Sequence, residues 1–443
     1  MKKLTLFVLF SLATVLVIGA LTGCTRAVDS PYEPVDETVT DDYSIPEPPV
    51  YEDDEDDDEY IAEDTGRSGW DTEELAHFID NFLTYGDMVT PEGSFWGTVL
   101  VMRGDEVIIH QAHGYACYEQ GIKNTLDTPF EIGSITKQFT GAAIIQLVVD
   151  GYLSPDDTLD MFFTGHDNLG DVTIAHLLTM RGGFGNFVDH LNPIFASPIE
   201  SLMLFQEVLD SLPEEDALLV LDTVQAADGN ILAALGEVQE LESIRSFIID
   251  YVENLIITGW SGEPLNRSRY SNSDYWLLGR IIEQAFGITY EEFIQARIFE
   301  PLGMHNSGFR NVPGTARGHH GADRNTQFNL PFAVPYATGG LTSTTGDLSL
   351  WLDAYFSGKL FPEAMLEQIF TVARGYNCGW IFVTDSIWWH SGGAWGFSNM
   401  LIYDIDNDIR MITLSNWTNG QWSRINQEIS ARVFNRRIHF IIP

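Results

Sequence analysis

The sequence predicts a mixed α/β (α+β) domain in which an antiparallel sheet flanked by helices is interrupted by a mostly helical subdomain. Three observations predict it. Strand-like runs stand near both ends of the 443-residue chain, at 96–102 and 106–112 early and at 379–383, 400–403 and 411–414 late. Helix-length apolar runs lie between them, the first at 138–149. Residues 200–256 read as mostly helical, as at 205–209 and 231–235, and carry no pattern of chemistry. Strands at both ends with helices between describe one sheet that the chain leaves and rejoins. With 44% hydrophobic residues, the core is ample.

The elements follow in order. Residues 1–24 read as a secretion signal: Lys2 and Lys3, an apolar core from Leu4 to Ala20, then Leu21-Thr22-Gly23-Cys24. That ending resembles the lipobox of bacterial lipoproteins. The resemblance implies a lipid on Cys24, anchorage to a membrane and a mature chain outside the cytoplasm. Residues 25–68 read as an acidic, disordered tether. They include Glu52-Asp53-Asp54-Glu55-Asp56-Asp57-Asp58-Glu59, which cannot bury enough apolar area to offset its ordering entropy. That run lacks the glycine turn and the spacing of a calcium loop. The folded domain is expected over 69–443. The formal net charge of −41 argues against binding nucleic-acid phosphates.

Asp71-Thr72-Glu73-Glu74 opens a helix with an acidic first turn and the apolar stripe Leu75, Phe78, Ile79, Phe82, Leu83. Arg103-Gly104-Asp105 joins the first two strands as a hairpin. Asp406-Asn407-Asp408 turns between the last two strands, and 424–434 closes the chain as a helix. Cys117 and Cys378 are one possible pair and no disulfide framework, so they read as free and buried. His319-His320 with Asp323 lacks zinc spacing and reads as a surface loop.

The chemistry concentrates in three places. Ser134-Ile135-Thr136-Lys137 opens the apolar run, so serine and lysine share a helix face. Burial lowers an amine's pKa and lets it accept the serine proton, while a helix N-terminus favours a developing oxyanion. Tyr270-Ser271-Asn272 precedes the helical run 276–282, and His390-Ser391-Gly392-Gly393 follows the strand start Ile387-Trp388-Trp389.

In this order, Ser-x-x-Lys, Tyr-x-Asn and His-x-Gly resemble the serine β-lactamase and penicillin-binding superfamily, in its class C β-lactamase-related branch. That branch includes D-alanyl-D-alanine carboxypeptidases, D-aminopeptidases and esterases. The resemblance covers most of 95–418, including Thr128 to Ser134, Thr173 to Thr179, Glu300 to Met304 and Gly339 to Leu348. It implies a β-lactamase/transpeptidase-like fold and an extracytoplasmic serine hydrolase that needs no cofactor or metal. Its substrates would be amides or esters, such as D-amino-acid peptides of the cell wall. The alternatives are a small-ester or lactone esterase and a catalytically idle peptidoglycan- or β-lactam-binding protein.

The resemblance also implies roles. Ser134 is the nucleophile, and Lys137 and Tyr270 share the proton work, with the principal base left open. A nearby cation is expected to make Tyr270 a phenolate. Asn272 holds Lys137 and the substrate amide, and His390, Ser391, Gly392 and Gly393 line the substrate. The backbone N–H groups of Ser134 and Gly393 form the oxyanion hole. Two departures stand out. His390 replaces a lysine common in the family, and is expected to be about half neutral near pH 6.5. The stretch from Thr179 to Tyr270 is longer than is usual, with Met180-Arg181-Gly182-Gly183 in place of His-Thr-Ser-Gly, and the insert at about 200–256 is expected to lid the cleft.

Overall fold

The computed structural model describes residues 72–85 and 95–434, apart from 165, 197, 227–237, 239–240, 310–311, 322–324, 327–333, 363–364, 366–374, 383, 385, 395 and 419–421. The secretion signal with Cys24, the tether, the helical run 231–235 and Asp323 lie outside the described residues. No described helix is long and apolar enough to cross a membrane.

The acidic start predicted for the first helix is met by α1 (Thr72–Tyr85). Strands β1 (Gly97–Arg103) and β2 (Glu106–His113) form the expected hairpin, with a bulge between Val101 and Met102. Helix α2 (Thr136–Val149) follows the serine turn, and short α3 (Ile174–Leu178) is capped by Thr173. Helices α4 (Phe187–Ala196), α5 (Pro198–Ser211), α6 (Glu214–Ala226) and α7 (Glu242–Thr258) make the helical stretch. Then come α8 (Asn272–Phe286) and α9 (Thr345–Phe356). The chain returns through β3 (Tyr376–Asn377), β4 (Trp380–Phe382), β5 (Ile387–Ala394), β6 (Phe397–Asp404) and β7 (Ile409–Ser415), and α10 (Trp422–Val433) is the last described helix.

The sheet order is β3-β4-β5-β6-β7-β1-β2, antiparallel throughout. Its closing pair is the most distant in sequence: β1 lies on β7, with Val99 opposite Thr413. Strand β7 is buried along its whole length, because helices cover both faces. On one face, Leu75 and Ile79 of α1 and Ile425 and Ile429 of α10 pack over Val99, Val101, Ile402 and Met411. Helix α2 has no exposed side before its last turn: Thr136 to Leu147 are all buried, Lys137, Gln138 and Gln146 among them. Its Phe139 stacks on Trp351 of α9 at 3.9 Å between ring centroids, and the Trp351 indole N–H donates to Gln138 Oε1 at 3.1 Å.

The helical stretch leaves and re-enters through a narrow neck. Residues 180–185 and 260–269 run side by side, held by Ser261 N–H to Gly183 O (3.1 Å), Leu265 N–H to Arg181 O (2.9 Å) and Arg269 N–H to Met180 O (2.9 Å). One expectation is corrected. His319-His320 is a strand segment beside Trp417–Thr418, and His319 is fully buried edge-on against Trp96. The tandem histidines looked like loop because a two-residue strand leaves no periodicity to read.

Trp351→Ala removes both the stack on Phe139 and the bond to Gln138. Urea unfolding is expected to show a loss of about 3–5 kcal/mol.

Candidate active site

Ser134 sits in a tight 3-10 turn, Gly133–Ile135, that runs directly into α2. Gly133 has φ +54°, and a Cβ there would lie 2.5 Å from the Gly393 carbonyl oxygen. A Cβ on Gly392 would lie 1.8 Å from the Ile132 carbonyl oxygen. Glycine at both positions lets the serine turn press its backbone against β5. Asn399 on β6 stitches the two together, its Nδ2 donating to Glu131 O (2.9 Å) and Gly392 O (3.1 Å). Gly393, by contrast, has open space where its Cβ would be.

Lys137 is wholly buried one turn after Ser134. Its Nζ lies 2.9 Å from Ser134 Oγ, 2.8 Å from Asn272 Oδ1 and 2.8 Å from the Thr338 carbonyl. Burial without a carboxylate pushes its pKa well below the ordinary lysine value. Tyr270 arrives just before the N-cap of α8, Ser271, whose hydroxyl accepts from Asp274 N–H. The Tyr270 hydroxyl donates to Ser134 Oγ at 2.7 Å. Burial pushes this phenol up, against the weaker opposite pull of its bond to Ser134. The phenolate expectation is therefore corrected: burial, the largest influence on this phenol, keeps its proton in place.

His390 corrects a second expectation. It is fully buried on β5, and burial, then Lys137, pull its pKa down to about 3, so it is neutral, not half neutral, near pH 6.5. Its Nδ1 lies against the Ser391 carbonyl, which can only accept, and its Nε2 is 3.1 Å from the Tyr376 hydroxyl. Ser391 is nearly buried, and Gly393 is the exposed member of the motif.

Sequence reasoning missed Asn186, Thr338, Tyr376 and Asn399. Asn272 Nδ2 donates to Asn186 Oδ1 at 3.2 Å, so this amide is already engaged. The first turn of α8 clamps the whole 182–187 segment. Ser273 Oγ donates to Gly185 O and accepts from Phe187 N–H, while Asp274 Oδ2 accepts from Gly182 N–H at 2.9 Å. The run Asn272-Ser273-Asp274 was the available signal: three polar residues opening a buried helix must each find a partner. Cys117 and Cys378 are free and buried.

A nucleophile with an amine and a phenol on one oxygen, set between a buried helix and a sheet edge, defines the active-serine class of the β-lactamase and penicillin-binding fold. The family model described as Beta-lactamase matches residues 95–434, and the chain belongs to that family. It is 28% identical over 374 residues to penicillin-binding protein 4* of Bacillus subtilis (strain 168), across 77% of this chain and 71% of that protein. Among solved structures, FmtA from Staphylococcus aureus superposes with a TM-score of 0.61 at 16% identity, covering 83% of this chain and 87% of that one. The D-amino acid amidase of Ochrobactrum anthropi SV3, complexed with D-phenylalanine, gives 0.60 at 20% identity, covering 82% and 98%. At such identities these two structures speak for the fold alone.

Asp274 yields a pH prediction. Its carboxyl is buried, and burial raises its pKa from 3.8 to about 7 despite bonds from Gly182 and Ser271. A raised acid contributes stability that is present below its unfolded pKa and lost as pH rises through the folded value. The melting temperature is expected to fall between about pH 4 and pH 7, and Asp274→Asn to flatten that fall in a thermal-melt series.

Proposed function

We propose that the chain is an extracytoplasmic serine hydrolase that works through an acyl-enzyme on amide or ester substrates containing D-amino acids. The cell-wall peptide is the natural source of such compounds, and a lipid on Cys24 would hold the enzyme near it. Kinship with penicillin-binding protein 4* supports the substrate class.

One observation carries the reading, the hydrogen-bond state of Ser134. A neutral amine has two hydrogens and one lone pair. In its neutral form Lys137 gives its two hydrogens to Asn272 Oδ1 and the Thr338 carbonyl, and its lone pair faces Ser134 Oγ, 2.9 Å from Nζ. Tyr270, protonated, donates to the same oxygen. Lys137 is thus the base and Tyr270 the proton donor.

When Oγ attacks the substrate carbonyl carbon, the hydroxyl proton passes to Nζ and the carbonyl electrons move onto oxygen. The backbone N–H groups of Ser134 and Gly393 are assigned to that oxyanion. Collapse of the adduct breaks the bond to the leaving group, which takes its proton from Tyr270, and the Lys137 ammonium restores the phenol. Water then attacks the acyl-enzyme by the same proton path in reverse, releasing the acid and free Ser134.

Intact-mass spectrometry of the full chain tests the nucleophile. Incubation with a penicillin or with a fluorophosphonate is expected to give an adduct that Ser134→Ala abolishes. Folded protein that reacts with neither reagent would overturn the hydrolase reading in favour of an idle binding protein. Lys137→Ala is expected to slow acylation about 10²–10⁴-fold. Protonation of Lys137 at low pH removes the base, so acylation should rise with pH and level off well below 10.5, the ordinary lysine value. A rate still climbing at pH 10 would sink the neutral-amine mechanism.

A further inference from the structure

The Thr338 carbonyl that takes one hydrogen of Lys137 belongs to a strained turn. Two residues before it, Tyr336 holds φ +37°, a left-handed backbone that a bulky side chain rarely adopts. Such a conformation persists only where its surroundings hold it. Helix α8 presses on it from one side: a Cβ on Gly279 would lie 2.5 Å from both the Ala337 Cβ and the Tyr336 ring, so only glycine lets the helix come so close. The Tyr336 ring is fully buried against Trp276 and Tyr290, at 5.4 and 5.2 Å between ring centroids. Thr140, one turn after Lys137 on α2, donates to the Ala337 carbonyl at 2.7 Å. Its oxygen is left to accept from the Tyr290 hydroxyl, 2.8 Å away.

One carboxylate gathers these pieces. Glu283 of α8 accepts at Oε1 from the Tyr290 N–H and from Arg245 Nη2, each at 3.0 Å, and at Oε2 from Arg280. It also stands beside the Tyr336 phenol: burial, then the charges of Glu283 and Glu291, hold that phenol protonated. Arg245 lies on α7, beyond the neck, and bonds Glu291 as well. Arg280 returns the pairing, donating to Glu253 of α7 at 2.9 Å. Side-chain exposure is only 10% for Glu283 and 19% for Arg245, so water and salt screen the pair little.

We propose that Glu283 is a positioning residue for the reaction: through Tyr336 and Tyr290 it fixes the Thr338 carbonyl that orients the Lys137 amine, and Arg245 makes that placement depend on the helices beyond the neck. The proposal rests on the serine-hydrolase reading with Lys137 as base. The carbonyl acts on the amine twice. Before attack it takes one hydrogen, which turns the lone pair to Ser134 Oγ. After attack it stabilises the ammonium, because a carbonyl acceptor favours the charged form. A displaced carbonyl therefore leaves a base that is both misdirected and weaker. Tyr270 and His390, the titratable groups on the other side of the amine, are uncharged at neutral pH.

The test follows Ser134 labelling by a fluorophosphonate in the full chain, by intact mass, across about pH 5 to 10. A melting temperature is taken for each variant. Tyr336→Phe keeps the buried ring and removes only the hydroxyl beside Glu283. Glu283→Gln removes the charge, and Arg245→Gln detaches α7. Each is expected to lower the plateau rate about tenfold or more. Each should also move the midpoint of the pH rise downward by about half a unit or more, because the ammonium has lost an acceptor. Arg245→Lys, which keeps the charge, should recover part of the loss. A merely structural role would lower the melting temperature and leave the rate and midpoint of the folded protein unchanged. That result in Tyr336→Phe overturns the proposal, even where Glu283→Gln does not fold. Profiles altered in Tyr336→Phe and Glu283→Gln but not in Arg245→Gln overturn the dependence on the helices beyond the neck. If the unaltered, folded chain gives no adduct, the hydrolase reading falls and this proposal with it. If it labels and the variants match it, only this proposal falls.

Discussion

The structure depends on hiding one amine. A lysine at a fully buried helix start needs acceptors for its hydrogens, and burial pushes the pKa of Lys137 well below the ordinary lysine value. Its two acceptors come from far along the chain, Asn272 and the Thr338 carbonyl, so the buried amine requires α8 and the short helix Tyr336–Gly339 to converge on α2. An unmet hydrogen there would cost the desolvation of a polar group in the core. Reactivity and tertiary structure are therefore set by the same three contacts.

A second constraint is backbone proximity. The nucleophile reaches the sheet only because Gly133 and Gly392 carry no side chains where the two backbones meet. Asn399 then fixes the separation by bonding to both sides. Gly393 is left exposed, with open space where a Cβ would be. The phenol of Tyr270 comes from the opposite side, held by a helix whose first turn is committed to the 182–187 segment.

Much of this was legible in the sequence. The apolar runs gave the hairpin β1–β2, the late strands and α2, since period and turn residues are local signals. Ser134, Lys137, Tyr270, Asn272 and His390 were legible because reactive residue types stood in a distinctive order. What escaped was electrostatic. Burial of Lys137 was read from the sequence, but not that His390 is wholly enclosed with it, and burial keeps Tyr270 protonated and His390 neutral. Partners at long sequence distance also escaped: Tyr376, Asn186 and Asn399 are ordinary residues until the fold sets them against the motif. His319 was misjudged for a related reason, since its strand pairing is made with residues about a hundred positions away.

The neck at 180–185 and 260–269 has a consequence for how such proteins diverge. Because the chain departs and returns through adjacent, mutually bonded segments, whatever lies beyond is closed at its base. Closing a longer loop there adds only about 0.6 kcal/mol of entropy for each doubling of length. Helices can thus be gained, lost or exchanged beyond the neck across lineages with little penalty to the sheet. The neck works as a graft point, where the surroundings of an old chemistry can be rewritten while the chemistry itself is inherited unchanged.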